Sequence, residues 1–581
     1  MTAGIVIGIA TVAGILVLAF GRRSRMGDAL GLVALLATTV LATTITNQDL
    51  LILGDDALVG SLYLRLYLVL GGAAATVLVL IGFAVGSPSS VAGVALLALA
   101  GAGMALAVTD PMIAILASTA AAVAAAMIVA DRRSGPRVAV AARALRSMVL
   151  AGLLAFGGVV WLATAGGVAP IPGEGVDGAL SEGVWAGVVG LAFLSVALAL
   201  AIRLGAIPFH GWAARIAEAT PPSGLPATLA LGPGAFAVVV IAWLDGSVGT
   251  LGEPLLLERW IVLAVGAASL VFGAIAAWLH DDIEHMVAYS LVQDAGVILL
   301  AVAALDPAAW EAVRLWVLSV IVVKSALAAW AAAARHAFGT RRVPELGGWA
   351  RRSPLLTIAF IIVLVAAVGL PGLAAFDARA DLIGLVADGP IAALLLLAAL
   401  APVGYLGRIL AVGFGPPSSF VAAAGGSGLV WPSAEGRPSG AEAPAADRRR
   451  IDPLLVARTL PAAWRANRVP VAATLALALA GLAMATSAGG FGAISAAAEP
   501  APGSGASGPI VGPGEPGSSA MPDDGSGETA APPDPSPSPS AAGAASEAPP
   551  ESPAGAPTEP EPSSAEPGAN PPPSFEPVPT P

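Results

Sequence analysis

About fourteen stretches of this chain are apolar for close to 20 residues each, and no other feature limits its fold so strongly. A helix of about 20 such residues crosses the ~30 Å hydrocarbon layer of a bilayer. Water cannot satisfy backbone N–H and C=O groups there, and a helix satisfies its own. The stretches lie near 2–20, 28–46, 60–85, 90–109, 111–130, 144–166, 183–207, 225–244, 260–279, 286–304, 311–338, 354–388 (interrupted), 390–413 and 469–490. The first is not read as a signal peptide, because Arg22, Arg23 and Arg25 follow the apolar run instead of preceding it. The expected fold class is an all-α polytopic membrane protein with about 14 transmembrane helices.

Composition agrees. Only 12% of residues are charged, against about 25% in soluble domains, and the mean hydropathy is +0.83. A soluble enzyme is excluded. The absence of cysteine excludes disulfide frameworks, thiolate-bound zinc, iron–sulfur clusters and thiol catalysis. The four histidines are too scattered in sequence to suggest a metal cluster. No nucleophile or metal constellation marks an active site, and nothing points to nucleic acid.

The net charge of −11 describes the C-terminal segment, not the membrane body. Residues 487–581 hold twelve Asp or Glu and no Lys or Arg, so the remainder sums to +1. That segment, rich in Pro, Ser, Ala, Gly and Glu, cannot bury enough apolar surface to offset the entropy of ordering it. An exported, disordered acidic tail is expected over 491–581, acting as a solvated tether or as a docking or wall-facing element. The other expected divisions are four helices in 1–110, a translocation core in 111–413, a cytoplasmic loop in 414–468 and a last transmembrane helix in 469–490. The Asp452–Arg468 part of the loop could lie as a short interfacial helix.

Basic loops set the expected orientation. Arg22, Arg23, Arg25, Arg132, Arg133, Arg137, Arg143 and Arg215 fall on one side. Arg335, Arg341, Arg342, Arg351 and Arg352 join them, with seven arginines between 437 and 468. The alternate loops carry Arg259 and Arg314 and little else. Odd-numbered spans then run inward, and both termini lie outside the cytoplasm of a cell whose plasma membrane holds the chain.

Charges within the apolar runs need a reason, since a mid-membrane charge costs from about 2.5 to over 10 kcal/mol. Arg65, Arg146, Arg203, Lys324, Arg379 and Arg408 fall in or near the spans. Arg146 and Arg408 lie where they can snorkel to the headgroups. Lys324 is the single lysine beside 27 arginines, and it sits mid-span. Lysine gives up its proton far more readily than arginine when desolvated. Lys324 is therefore a candidate proton carrier, with a static ion pair or a lysine bonded to backbone carbonyls as the alternative. Arg203 and Arg379 suit fixed charges.

Two spans are interrupted in similar ways. The seventh reads Arg203-Leu-Gly-Ala-Ile-Pro208-Phe-His210, and the twelfth reads Gly369-Leu-Pro371-Gly followed by Asp377 and Arg379. Five spans apart, they run in opposite directions. Inverted repeats with discontinuous helices have this pattern, and the freed backbone groups and half-helix ends line an ion site.

At these residues the chain resembles the antiporter-like membrane subunits of respiratory complex I (NADH-quinone oxidoreductase), a family shared with Mrp-type antiporters and membrane-bound hydrogenases. Arg203-Leu-Gly-Ala-Ile-Pro-Phe-His-Gly-Trp212, with Glu218 and Pro221, resembles the element K-L-x-x-x-P-F-H-x-W-L-P-x-A-x-E-x-x-P. Asp281-Asp-Ile-Glu-His-Met-Val-Ala-Tyr-Ser-Leu-Val-Gln-Asp-Ala-Gly296 resembles T-D-L-K-R-x-L-A-Y-S-S-I-x-H-x-G. Val323-Lys324-Ser-Ala-Leu327 resembles F-K-A-L-L-F, and Gly369 to Arg379 resembles G-x-P-P-x-x-G-F-x-x-K. The resemblance covers roughly 60–410. It implies two inverted five-helix repeats, broken helices seven and twelve, and a row of polar residues and water at mid-membrane. It implies a divergent member: a non-redox subunit that couples remote redox energy to proton or cation translocation. No cofactor would be bound directly; quinone and NADH would be handled by partner subunits, the other members of the membrane arm.

The sequence departs from the family at several positions. The seventh-span lysine position holds Arg203, and the twelfth holds Arg379. The fifth span has Thr119 near the glutamate position, with Asp110 only at its edge. The eighth has Gly232 near its lysine position, and the tenth has Asp294 in place of histidine. The relay candidates are thus Lys324, Asp294, His210, Arg203 and Arg379, with Asp294 and Lys324 expected to pair on adjacent spans and titrate as a unit. His210 could gate proton uptake or cap broken-helix carbonyls. His280 and His285 are expected at the interface, and His336 in the 335–352 loop. The alternative function is a structural membrane-arm subunit that has lost conduction; a stand-alone transporter of small solutes stands behind both.

Overall fold

The computed structural model describes residues 2–20, 25–54, 56–85, 90–130, 135–165, 182–249, 255–418 and 468–486. These belong to the unit Met1–Ala506. The expected interfacial helix at Asp452–Arg468, most of the 414–468 loop and the 491–581 tail lie outside the described residues.

Nearly everything described is helical. Six helices come first: α1 (Thr2–Phe20), α2 (Arg25–Ala42), α3 (Leu62–Val85), α4 (Ser90–Ala107), α5 (Pro111–Ala130) and α6 (Gly135–Ala165). Next come α7 (Glu182–Leu204), α8 (Gly211–Ala219), α9 (Gly232–Trp243), α10 (Leu256–Leu279), α11 (Ile283–Ala304) and α12 (Pro307–Phe338). The last are α13 (Trp349–Arg352), α14 (Pro354–Val368), α15 (Ala374–Val386), α16 (Gly389–Ala399), α17 (Pro402–Phe414) and α18 (Arg468–Ala485). Among the described residues ten apolar segments are long enough to span a bilayer, and four shorter apolar helices accompany them. Together they fall on the fourteen stretches read from the sequence. The chain is a multi-pass membrane protein.

One element is not helical. β1 (Leu50–Leu53) and β2 (Asp56–Val59) form an antiparallel hairpin between α2 and α3, with Leu53 paired to Asp56. Gly54 opens its two-residue turn with φ +70, a conformation that costs glycine nothing. His336 also differs from expectation. It lies in the last turn of α12, because the alanine-rich helix continues past the basic pair to Gly339.

The two interruptions end their first halves alike. Gly205 follows α7 with φ +67, and Gly369 follows α14 with φ +53. Each is a left-handed helix cap, and each has a proline, Pro208 or Pro371, just beyond it that cannot continue the helix. The arginines sit on different sides of the two breaks. Arg203 belongs to the helix before its break, and Arg379 to α15, after its break.

The eighth span is irregular throughout. A 3-10 turn (Pro222–Gly224), a π segment (Ala227–Leu231), α9 and a second π segment (Leu244–Val248) follow one another, almost entirely buried. Most residues of α11 and α12 are buried as well, so these two helices and the eighth span form the centre of the bundle.

α10 and α11 pack backbone to backbone. A Cβ built on Gly296 would lie 2.5 Å from Leu270 N and 2.7 Å from Gly266 O, and one on Gly273 would lie 2.6 Å from Gln293 N. In hydrocarbon, small residues permit such close approach, and packing replaces the hydrophobic effect as the driving force. Gln293 and Asp294 are positioned by this seam. A Gly296→Val chain should therefore lose about 1–3 kcal/mol of stability, read as a lower melting temperature in detergent; an unchanged melt would show that the helices have room to separate.

Candidate functional site: a buried ion pair between broken helices

Lys324 lies about 25 Å along α12, a helix of 32 residues and roughly 48 Å at 1.5 Å per residue. It is 5% exposed, too deep for its amine to snorkel. Its Nζ lies 2.7 Å from Asp294 Oδ2 on α11. The same amine donates to Ser290 Oγ at 3.0 Å and to Ser290 O at 3.2 Å. Lys324 is therefore held by one carboxylate and one serine, all from α11. Ser290 and Asp294 are four residues apart, on one face of that helix.

Two further polar residues lie beside the pair. The Tyr405 hydroxyl on α17 donates to Gln293 Oε1 at 3.1 Å and lies against the Ser290 side chain. Gln293 Nε2 donates to Ala398 O at 2.8 Å, at the end of α16. The thirteenth span is thereby tied to α11 where it changes from α16 to α17. Ser290, Gln293 and Tyr405 were not singled out in the sequence. The available signal was the same one that marked Lys324: polar side chains inside apolar spans.

On its other side Asp294 faces a cavity of about 20 Å³, lined also by Leu204, Ala230, Pro233, Gly234 and Val317. That is room for about one water molecule. The cavity lies beside the eighth span, where the expected lysine position is empty. A side chain at Gly232 would meet no atom within 4 Å.

Neither arginine makes a direct ion pair with Asp294 among the described residues, although Arg379 lies near enough to feel its charge. Arg379, 4% exposed, donates to Ala375 O at 3.3 Å and Ala399 O at 2.9 Å, and reaches Ala367 O and Val368 O. The last two are carbonyls freed at the C-terminus of α14, where a helix end carries partial negative charge. Its guanidinium also lies 4.6 Å from the centre of the Trp316 ring. Arg379 thus closes the break in its own span. Arg203 is fully buried, donates to Ser118 O on α5 and stacks 5.4 Å from Phe236. Its Nε and Nη1 meet no hydrogen-bond partner among the described residues. Thr119, near the expected carboxylate position, turns its hydroxyl to Ile115 O. Arg203 therefore meets a carbonyl where an ion pair would have formed.

His210 stands at the break after α7, half-buried, with its ring 6.0 Å from Tyr289. Close by, the α11 end of the bundle is tied to the loop after α12. Glu284 pairs with Arg335 and with Arg341, the latter at 3.3 Å, and Arg341 reaches Asp282 at 2.8 Å. Asp282 caps α11, accepting from the backbone N–H of Glu284 at 2.9 Å. Arg408 pairs with Asp281 and donates to Trp278 O at 2.5 Å. Arg146 is exposed, as a snorkelling residue would be.

Burial alone would raise the Asp282 carboxyl. His285, Arg341 and the Glu284 backbone N–H outweigh burial and hold it below the usual carboxylate range. Its share of stability is complete above about pH 4, the unfolded value, and is lost as pH falls through the lower folded one. An Asp282→Asn chain should start less stable near neutrality and lose less on acidification; parallel melting-temperature curves for the two chains would contradict this.

The fold and the site define a class: a helical membrane protein with two broken spans and a buried carboxylate–ammonium pair between them. Residues 116–402 match the family described as NADH:quinone oxidoreductase/Mrp antiporter, TM. F(420)H(2) dehydrogenase subunit M of Methanosarcina mazei is 30% identical over 187 residues, 32% of this chain and 37% of that protein. NADH-quinone oxidoreductase subunit N of Heliobacterium modesticaldum is 26% identical over 211 residues, 36% of this chain and 44% of that one. Subunit N 1 of Streptomyces griseus is 30% identical over 254 residues, 43% and 52% respectively. The chain thus spans about half or less of the length of these curated relatives.

Solved structures share the fold more completely. A chain of the Mrp complex from a Dietzia species superposes with a TM-score of 0.58 at 20% identity, covering 83% of this chain and 96% of that one. For the archaeal membrane-bound sulfane sulfur reductase the TM-score is 0.61 at 16% identity, covering 83% and 99%. For respiratory complex I from Thermus thermophilus with bound NADH it is 0.59 at 19% identity, covering 83% and 100%.

Removing one partner of a buried ion pair strands the other charge, at about 3–5 kcal/mol. Asp294→Asn should destabilise the chain by that order. The double change Lys324→Met/Asp294→Leu should recover most of the loss, because no charge is left in oil. Guanidinium or thermal unfolding in micelles compares them, and a double variant as unstable as the single would show that the two side chains do not depend on each other.

Proposed function

We propose that this chain is an antiporter-like membrane-arm subunit of a complex I-like or Mrp-like assembly, moving protons or cations with energy released elsewhere in that assembly. The observation that carries the proposal is the buried Lys324–Asp294 contact at 2.7 Å. A lysine and a carboxylate this close in a low-dielectric interior depend on each other's charge, so adding or removing a proton on either disturbs both. Ser290, within 3.0 Å of the amine, and the cavity beside Asp294 extend the pair in two directions. Arg203 and Arg379 serve as fixed charges, since arginine keeps its proton in nearly all settings.

The chain holds no redox role in this proposal. Quinone and NADH are handled by partner subunits, and the remaining membrane-arm subunits and the lipid bilayer are its neighbours. It resides in the plasma membrane with both termini outside the cytoplasm. Residues 1–110 supply the first four helices, 111–413 the translocation core and 469–490 the last span.

A specific observation favours the second reading, a structural subunit without conduction. Arg379 is taken up by backbone carbonyls, and Arg203 has a carbonyl where the family would pair it with a carboxylate. One experiment separates the two. Membrane vesicles containing the assembly with Lys324→Met should lose most of their proton uptake, at least about 100-fold if the amine is an obligatory transfer group. Uptake equal to the parent would leave only the structural role.

A further inference from the structure

Two of the chain's four histidines approach a single tyrosine, and a third stacks on one of them. The His280 ring lies 4.7 Å from Tyr289, and His285 stacks on His280 at 5.4 Å with an interplanar angle of 11°. His210 approaches Tyr289 from the break after α7, at 6.0 Å. The three come from separate places in the fold: the end of α10, the first turn of α11 and the turn between α7 and α8. All are half-buried, so they border both water and the bundle. His210 Nδ1 and His285 Nδ1 are buried with no hydrogen-bond partner among the described residues. Tyr289 is followed by Ser290, the serine that accepts from Lys324 Nζ.

We propose that His280, His285, His210 and Tyr289 form a proton-collecting mouth that loads the Lys324–Asp294 pair. The inference rests on the relay reading above and adds residues to it. Histidine is the side chain that binds and releases protons near neutrality without perturbation. Stacked rings at a membrane face exchange protons with bulk water and hold them close to the channel. Asp294 lies nine residues beyond His285 on α11, about 13 Å along the axis. Ser290 stands between them.

At His285 the neighbouring carboxylates outweigh burial and favour the protonated ring. Asp282 Oδ1 lies 3.7 Å from His285 Nδ1, and Glu218 on α8 faces the same ring and is paired to Arg215 at 3.4 Å. Asp281 adjoins His280. The cations of this face pair with its carboxylates, Arg341 with Asp282 and Glu284, Arg335 with Glu284, and Arg408 with Asp281 and the His280 carbonyl, and Arg341 opposes part of the pull of Asp282 on His285. The His280 Nδ1 meets Ala276 O at 2.7 Å, which leaves Nε2 to exchange protons.

The test uses membrane vesicles containing the full assembly, a potassium diffusion potential and an internal pH-sensitive dye, from about pH 5 to pH 8. The variants are His280→Gln/His285→Gln and, in parallel, Lys324→Met. A collecting mouth matters most where protons are scarce. The histidine variant should take up protons about tenfold more slowly near pH 8, match the parent near pH 5, and regain its rate when imidazole buffer is added. A fall by the same factor at every pH, with no rescue by imidazole, would assign the rings a structural role and overturn the proposal. So would an unchanged pH profile. If Lys324→Met abolishes uptake while the histidine variant behaves like the parent, the relay stands and the mouth falls; if Lys324→Met leaves uptake intact, both fall.

Discussion

An ammonium group in the middle of a hydrocarbon layer has to be paired, and the arrangement of this bundle follows from that need. Asp294 supplies the charge, and Ser290 supplies two further acceptors from the same helix. α11 can bring them close because it lies against α10 through Gly266, Gly273 and Gly296, where a single Cβ would collide with backbone. Tyr405 and Gln293 then tie α17 and α16 to the same point. Spans ten, eleven and thirteen thus meet at one pair of opposite charges.

The two arginines show a different solution to buried charge. Neither meets a carboxylate among the described residues. Arg379 takes up the carbonyls that the broken twelfth span leaves behind, so the helix break and its cation satisfy each other. Arg203 rests on a single carbonyl of α5 and the face of Phe236. Guanidinium suits both places, being planar, weakly hydrated and able to stack. A lysine in either place would bring one compact charge and three donors to positions shaped for a fork.

The pair of interruptions, one in each half, was legible because proline and glycine act through backbone geometry and need no neighbours to be understood. The departures from the family were legible too, residue by residue: Thr119, Arg203, Gly232, Asp294, Arg379. Their consequences were not. Gly232 in the sequence is a missing lysine; in the fold it borders open space, and an adjacent cavity reaches Asp294. His280 and His285 read as interfacial residues five apart, yet folding stacks them and brings His210 to the same tyrosine from 70 residues away. The hairpin at 50–59 was not legible, since strands of four residues are too short to show a period of two.

By itself the sequence determined that the chain crosses a membrane many times, where its spans lie, which two of them break, and that one lysine is stranded mid-span. These properties depend on local composition and on the hydrocarbon thickness, which any stretch of chain meets alone. The sequence pointed to Asp294 as the partner of Lys324; only the tertiary structure decided that Ser290 joins it, that Arg379 caps its own broken helix, and that His210 and His280 approach one tyrosine while His285 stacks on His280. Those contacts join residues far apart in the chain, and helix packing sets them at a scale of a few ångströms that no linear pattern encodes.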